Sequence, residues 1–175
     1  GGLAPPISDA LFVPGGPVAV LQVAQSTFAA AVDAQGRLWD LDLRPQNPLQ
    51  PQHRVLEGTP GTFLPGSPVT LIAGPAIGGR ATREIFVCNA RGTLVRYRSS
   101  LYGWSTAELL ADGFIPGSPL GAMYYALPGG GSALYLAAVD WRGALHLLGG
   151  QPQQLQDVVV CTGILPPGGQ MLCHQ

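Results

Sequence analysis

The sequence predicts an all-β protein built from repeated small sheets, and three observations support this prediction. A segment with the pattern Phe-x-Pro-Gly recurs along the chain, and a four-residue turn recurs in the middle of each copy. Gly and Pro are abundant, with 25 Gly and 17 Pro among 175 residues, while 46% of the residues are hydrophobic. This composition supports a core made of many short elements joined by turns.

The repeated segment begins at Phe12, Phe63 and Phe114, so that successive copies are 51 residues apart. A fourth, degraded copy begins at Ile164 with the sequence Ile-Leu-Pro-Pro-Gly-Gly. A fixed period of this length is typical of repeat folds. We therefore predict an N-terminal extension or linker at 1–11, three full units at 12–62, 63–113 and 114–163, and the first strand of a further unit at 164–175.

The second landmark is an Asp or Asn followed three residues later by Gly, at Asp33, Asn89 and Asp140. An Asp or Asn side chain can accept backbone amides in a turn, and Gly tolerates positive φ at the fourth position. Because apolar runs flank each copy, each one predicts a β-hairpin.

Each repeat is predicted to contain four strands, and we find no convincing helical pattern. In the second repeat the predicted strands are 69–73, 84–88, 93–98 and 106–111. The inner two strands are almost continuously apolar, which predicts burial on both faces. The third alternates apolar and polar residues around Arg96, which predicts one exposed face.

Four-stranded units with a period near 50 residues predict the blades of a β-propeller, in which neighbouring blades cover each other's faces. The alternative is a β-trefoil, which also has three repeats, but the fourth copy is superfluous in a trefoil. A closed propeller usually has at least four blades. Completion therefore requires a longer polypeptide, assembly of copies into a ring, or closure of the terminal strand onto other material.

The second repeat contains Ser67-Pro68-Val69, Glu84-Ile85-Phe86-Val87, Arg91-Gly92-Thr93-Leu94 and Gly103-Trp104-Ser105. This order of motifs resembles the blades of bacterial PLL-type and tectonin-like lectin propellers. The Gly-Trp-Ser element occurs only in this repeat. The resemblance implies sugar binding between blades, with Trp104 as the stacking ring and Arg91 or Glu108 as polar neighbours.

Charge and cysteine content narrow the class of partner. All nine basic residues are Arg, and ten acids give a net charge of −1, so nothing favours nucleic acid or an anionic membrane. No apolar run approaches the roughly 20 residues that span a bilayer, and the first residues lack a signal-peptide pattern. Three cysteines beside apolar residues predict buried free thiols in a cytoplasmic setting, although a Cys161–Cys173 disulfide is conceivable.

Residues suited to catalysis are scarce. His53, His146 and His174 occupy unrelated positions in the repeats, and Glu108, Asp112 and Asp157 show no paired-carboxylate spacing. No cysteine pair has metal-ligand spacing, and no glycine-rich loop leads into a helix that could hold a phosphate. We predict that the protein is not an enzyme and uses no cofactor and no metal.

Two groups of residues are candidates for a binding surface. Arg80, Arg83, Arg91, Arg96 and Arg98 cluster in the second repeat near Tyr97 and Tyr102, a pattern that favours a solvated or protein-binding patch over a nucleic-acid site. Trp141 and Arg142 fall at a hairpin tip, whereas Trp39 is predicted in the core.

The favoured prediction is a non-catalytic binding module for a protein partner or another domain of the same polypeptide. The alternative is a carbohydrate-binding lectin with sites between blades, and a second copy of the chain is a further candidate partner. The candidate ligand-binding residues are Trp104, Trp141, Arg142, Arg91, Arg96 and Tyr97.

Overall fold

The computed structural model describes residues 11–43, 52–100, 102–151 and 154–162, and every regular element in these ranges is a β-strand. The strands are β1 Ala19–Val23, β2 Ser26–Val32, β3 Leu38–Leu43, β4 Gln52–Glu57, β5 Val69–Ile77, β6 Arg80–Cys88, β7 Leu94–Ser100, β8 Gly103–Trp104, β9 Glu108–Ala111, β10 Leu120–Ala126, β11 Ser132–Val139, β12 Leu145–Gln151 and β13 Gln154–Cys161. These ranges contain no helix long and apolar enough to cross a membrane.

The strands form three antiparallel sheets, and each sheet takes its strands from one repeat in sequence order. The orders are β1-β2-β3-β4, β5-β6-β7 with β8 and β9 both paired to β7, and β10-β11-β12-β13. This is the predicted all-β arrangement of propeller blades, here named blades 1, 2 and 3. A trefoil would join strands of different repeats into one barrel, so that alternative is wrong. Residues 1–10 and 163–175 lie outside the described ranges, and the predicted unit boundaries stay a prediction.

The hairpin turns are confirmed at all three predicted positions. In the first, the Gly36 amide donates to the Asp33 carbonyl at 3.0 Å, and Gly36 has φ of 75°. The amides of Gln35 and Arg37 donate to Oδ1 of Asp33 at 2.8 and 2.9 Å. Asn89 and Asp140 repeat this pattern with their own Oδ1 atoms. The short polar side chain therefore fixes each turn by satisfying backbone donors.

The core lies between the blades. Ile85 and Val87 of β6 point toward blade 1 and pack with Ala30 and Leu38. The alternating residue Phe86 points to the opposite face and packs against blade 3. The innermost strands β1, β5 and β10 approach one another, because β5 contacts both of the others. Blade 2 is thus covered on both faces, as the near-continuous apolar pattern of β6 requires.

The segment that enters each blade is also bonded to the turn of the blade before it. The Phe63 amide donates to the Gly36 carbonyl of blade 1 at 3.2 Å, while the neighbouring Thr62 carbonyl accepts the Ala90 amide of blade 2 at 3.0 Å. Phe114 makes the equivalent bond to Gly92 at 3.0 Å. We call this connection, in which one segment bridges two hairpins, the blade joint.

The prediction of an exposed face on the third strand of blade 2 is wrong. Arg96 of β7 is only 1% exposed, and the neighbouring apolar residues of the strand are buried as well. Blade 3 covers this face, and Arg96 is neutralised there by carboxylates, with Glu108 at 2.6 Å and Glu84 at 3.8 Å. The charged residue in this alternating pattern therefore forms a buried ion pair and does not indicate a solvent-exposed face.

Candidate functional site

The predicted arginine patch does not form. Arg83 lies on the face of blade 2 that is turned toward blade 1, where it pairs with Asp40. Arg96 and Arg98 lie on the opposite face and pair with Glu84. Successive positions in a strand point to opposite faces of the sheet, so the sheet itself lies between Arg83 and the two residues Arg96 and Arg98.

Two of the predicted ligand-binding residues are interior. Arg96 is held by the carboxylates described above, and Tyr97 is 2% exposed in the core between blades 1 and 2. Burial, with a smaller contribution from the charge of Glu57, raises the pKa of Tyr97 to about 12. These positions contribute to packing between blades, and neither side chain is at the surface.

Three other predicted residues lie at hairpin tips. Arg91 is exposed at the tip of blade 2, and Trp141 is 62% exposed at the tip of blade 3. The Arg142 guanidinium stacks on the Trp141 ring, with Cζ 4.6 Å from the ring centroid. Trp141 and Arg142 thus share one tip, and Arg91 lies on another. Trp104 pairs with Ser99 toward the end of β7 opposite the turn that carries Arg91, so the two are not neighbours, contrary to the proposed pairing.

Trp104 stands in the cleft between blades 1 and 2. It follows Gly103 in the short strand β8, which pairs with the end of β7, and its ring is half-buried against the core between these blades. The indole Nε1 donates to Oδ2 of Asp40 on blade 1 at 2.9 Å. The only Gly-Trp element of the sequence thus bridges two blades.

Arg83 completes this arrangement from β6. Its Nη1 donates to Oδ1 of Asp40 at 2.6 Å, and its Cζ lies 3.6 Å from the ring centroid of Phe28 and 5.1 Å from that of Trp104. The Arg83 side chain is 14% exposed and that of Asp40 is 8% exposed. We call Asp40, Arg83, Trp104 and Phe28 the first cleft.

The first cleft combines aromatic surface with fixed polar groups. Arg83 is held in one orientation by Asp40 and by two aromatic rings, which reduces the entropy lost when it binds a ligand. Its remaining N–H groups are donors, while the indole provides a flat apolar surface. Such a site can stack an apolar ligand face and hydrogen-bond its oxygens.

The corresponding cleft between blades 2 and 3 has different residues. At the positions 51 residues after Arg83 and Trp104 it contains Leu134 and Leu155, and both pack into the core cluster. Its polar residues bond one another: the Tyr124 hydroxyl donates to Glu84 at 2.9 Å. Burial and the adjacent Glu84 carboxylate raise the pKa of Tyr124. Glu108, the other predicted neighbour of Trp104, belongs to this second cleft.

A histidine between two carboxylates is the strongest cluster of titratable groups elsewhere. His146 Nδ1 lies 3.0 Å from Asp157, and its Nε2 lies 3.4 Å from Asp140. His146 occupies the position of Trp39 in blade 1, whose Nε1 bonds the turn residue Asp33 at 2.8 Å. This equivalence assigns His146 to turn stabilisation. Within the described ranges, no three His, Cys, Asp or Glu residues are grouped as a metal site.

Sequence reasoning identified Trp104 but missed its partners. Asp40 and Arg83 are separated by 43 residues, and only the packing of blade 1 on blade 2 brings them together. The available signal was an Arg two residues before the apolar run 85–88, together with acidic residues in the otherwise apolar strand Leu38–Leu43. A charge within an apolar strand indicates a buried partner or a site.

Comparison with known proteins shows the fold. The chain is similar to the BP39L lectin from Burkholderia pseudomallei, with a TM-score of 0.76, 21% identity, and coverage of 96% of this chain and 48% of that one. AofleA from Arthrobotrys oligospora has a TM-score of 0.64 at 10% identity, with coverage of 91% and 46%. The chain therefore spans about half the length of these two proteins.

A third similar structure is a fucose lectin from Kordia zhangzhouensis in complex with methyl-fucoside. Its TM-score is 0.59 at 9% identity, and the match covers 83% of this chain and 99% of that one. No protein-family model matches the sequence, and no curated protein matches it. These likenesses support a propeller-like fold found in lectins.

Proposed function

We propose that this protein is a carbohydrate-binding module whose sugar site is the first cleft. The observation that carries the proposal is the contact of Arg83 with Asp40, Phe28 and Trp104, which fixes a donor beside an aromatic surface between two blades. Two structural neighbours are lectins, and one of them was solved with methyl-fucoside. AofleA, a third neighbour, was also solved as a triple Arg-to-Ala mutant.

The roles of the cleft residues follow from their chemistry. Trp104 stacks the apolar face of a pyranose ring, and Arg83 donates hydrogen bonds to the ring's oxygens. Asp40 acts as a positioning residue, because it accepts from both Arg83 and the Trp104 indole. Phe28 also lies against the guanidinium, with its ring centroid 3.6 Å from Cζ. The second cleft has Leu134 and Leu155 at the positions of Arg83 and Trp104, so the described blades hold one such site.

A glycan array followed by calorimetry on the best ligands tests the proposal. Trp104→Ala should weaken binding by about tenfold or more, since aromatic contacts contribute about 0.5 to 1.5 kcal/mol beyond the apolar area that they bury. Trp141→Ala removes the exposed tryptophan at the tip of blade 3 and should leave sugar affinity unchanged. Binding that survives Trp104→Ala, or an array without any ligand, would contradict the proposal.

A protein partner is the second candidate function, and the exposed tip of blade 3 favours it. Trp141 is 62% exposed and is stacked with Arg142, and these two residue types are enriched at protein interfaces. On this alternative, a Trp141→Ala variant loses the partner in a pull-down while its sugar binding is retained. The cytoplasmic setting belongs to the same alternative, and the buried free thiol of Cys88 supports it.

Further blades complete the propeller in this proposal. The outer faces of the end blades expose apolar side chains, with Val20 on blade 1 at 62% and Val158 on blade 3 at 56%. The remainder of a longer polypeptide or a second copy of the chain can cover these faces. The mass in solution, measured by light scattering, separates the two: a stable monomer favours the longer polypeptide, and a dimer favours the ring of copies.

A further inference from the structure

The first cleft offers hydrogen-bond donors from Arg83, and both carboxylates on its blade 1 face already have contacts of their own. Asp40 accepts Arg83 Nη1 at Oδ1 and the Trp104 indole at Oδ2, and Asp42, the cross-strand neighbour of Phe28, also has its own partner. The Asp40 side chain is only 8% exposed and therefore offers little acceptor surface to a ligand. Neutral sugar hydroxyls both donate and accept, whereas a carboxylate only accepts. The cleft is thus better matched to a ligand that brings acceptors.

A second guanidinium lies at the rim of this cleft. Arg54 of β4 is the direct cross-strand partner of Asp40, so its side chain is on the face of blade 1 that is turned toward blade 2. Its Nη1 reaches blade 2, where it lies 3.2 Å from the point that a Cβ on Gly103 would occupy. Gly103 immediately precedes Trp104, so Arg54 reaches the strand that carries the aromatic ring.

Arg54 is available to a ligand. It is exposed, and among the residues that the structure describes no carboxylate forms an ion pair with it. Its neighbour Asp40 is engaged with Arg83 instead. Asp42 lies on the same side of β3 and has its own contacts.

We propose that the first cleft selects acidic sugars, with a uronic acid carboxylate held by Arg54 while the sugar ring stacks on Trp104. This inference rests on the proposed function and names its ligand class. A planar guanidinium binds a carboxylate through two parallel hydrogen bonds, and such charged bonds are about twice as strong as neutral ones. Arg83 supplies further donors to the ring oxygens from the other side of the cleft.

Matched pairs of methyl glycosides test this selectivity. The probes are methyl β-glucuronide against methyl β-glucoside, and methyl α-galacturonide against methyl α-galactoside, titrated by calorimetry into the full chain. Each pair differs at C6 only, where the acid carries a carboxylate. We expect the acid to bind at least about fivefold more tightly in one pair, because the contact is partly exposed. Raising the salt concentration should reduce this preference.

The variant Arg54→Gln identifies the residue responsible. It should reduce the ratio of acid to neutral affinity to about 1 and leave the affinity for the neutral glycoside within about twofold. Arg80→Gln is the matched control, because Arg80 is an exposed arginine at the start of β6 without a described contact to the cleft. It should keep the preference for the acid.

The outcomes separate this inference from the function on which it rests. Equal binding of acid and neutral sugars, lost in Trp104→Ala, overturns the acidic selectivity and keeps the sugar site. A preference for acids that persists in Arg54→Gln overturns the assignment of Arg54. The absence of binding by every sugar overturns both proposals.

Discussion

Replacement of Asp33 by Asn tests whether the charge at a hairpin turn stabilises blade 1. Asp33 is fully buried, and its Oδ2 accepts from Arg37 Nε at 2.7 Å and from Trp39 Nε1 at 2.8 Å. Asn would keep the two backbone bonds to Oδ1 but would place an NH2 group against these two donors. Bonds to a charged acceptor contribute about 1.5 to 3 kcal/mol each, and Arg37 is partly exposed, so we expect a loss of about 3 kcal/mol.

The loss should depend on pH in a defined direction. Burial raises the pKa of Asp33, but the Arg37 and Gln35 amides, the Trp39 indole and the Arg37 guanidinium together hold it below the usual value of 3.8. A carboxyl with a lowered folded pKa stabilises the fold fully above its unfolded pKa. The stabilisation is lost as the pH falls through the folded pKa. The difference between native and variant should therefore be constant from about pH 5 to 8 and shrink below about pH 4.

Urea denaturation followed by tryptophan fluorescence and circular dichroism measures both quantities. Asn89→Asp is the matched control, since blade 2 carries the neutral residue at the same turn with the same two backbone bonds. This control should change the free energy of unfolding by less than about 1 kcal/mol. A loss below about 1 kcal/mol in Asp33→Asn at pH 7, or a difference independent of pH, would refute the reasoning.

Two further predictions concern the joints and the interior of the blades. A Cβ on Gly92, whose φ is 81°, would overlap the Phe114 carbonyl oxygen, so Gly92→Ala should lower the free energy of unfolding by more than about 3 kcal/mol. The control Gly129→Ala, at a glycine with φ of 90° and open space around it, should lower this free energy by about 1 to 2 kcal/mol. Equal losses in urea titrations of the two variants would contradict the close contact at the blade joint. The Tyr97 phenolate should form only near pH 12 in the folded protein, because the ring is buried. Its absorbance is measured as the difference between the pH titrations of the native chain and of Tyr97→Phe. Ionisation near pH 10, the usual value for tyrosine, would show that the ring is accessible.

The sequence was sufficient for the parts of the fold that local chemistry determines. The turns at Asp33, Asn89 and Asp140 form because a short polar side chain and a following Gly satisfy the turn geometry wherever apolar strands flank them. The four-strand period then predicted the sheets. The assignment of each strand to one sheet follows from sequence order, since consecutive antiparallel strands pair.

The parts that failed depend on contacts between blades. Arg96 was predicted at the surface because alternation with apolar residues usually indicates solvent, but blade 3 covers this face, and the carboxylates that neutralise Arg96 there belong to other strands of blade 2. The same limit applies to the candidate site. Trp104 was found because it lies in a local motif. Arg83 and Trp104 are joined through Asp40 of blade 1, which accepts hydrogen bonds from both, and no local pattern shows that contact. Local patterns do not show which face of a sheet meets which neighbour.

The blade joint has a consequence for how such a chain can change in length during evolution. Each 51-residue unit carries both halves of the connection, a turn carbonyl that accepts and an entering Phe amide that donates, as at Gly36 with Phe63 and Gly92 with Phe114. A tandem duplication of one whole unit therefore creates a correct new connection without any compensating substitution. Insertions or deletions of part of a unit would leave one half without its counterpart, so gene rearrangements in this lineage should preserve multiples of the period.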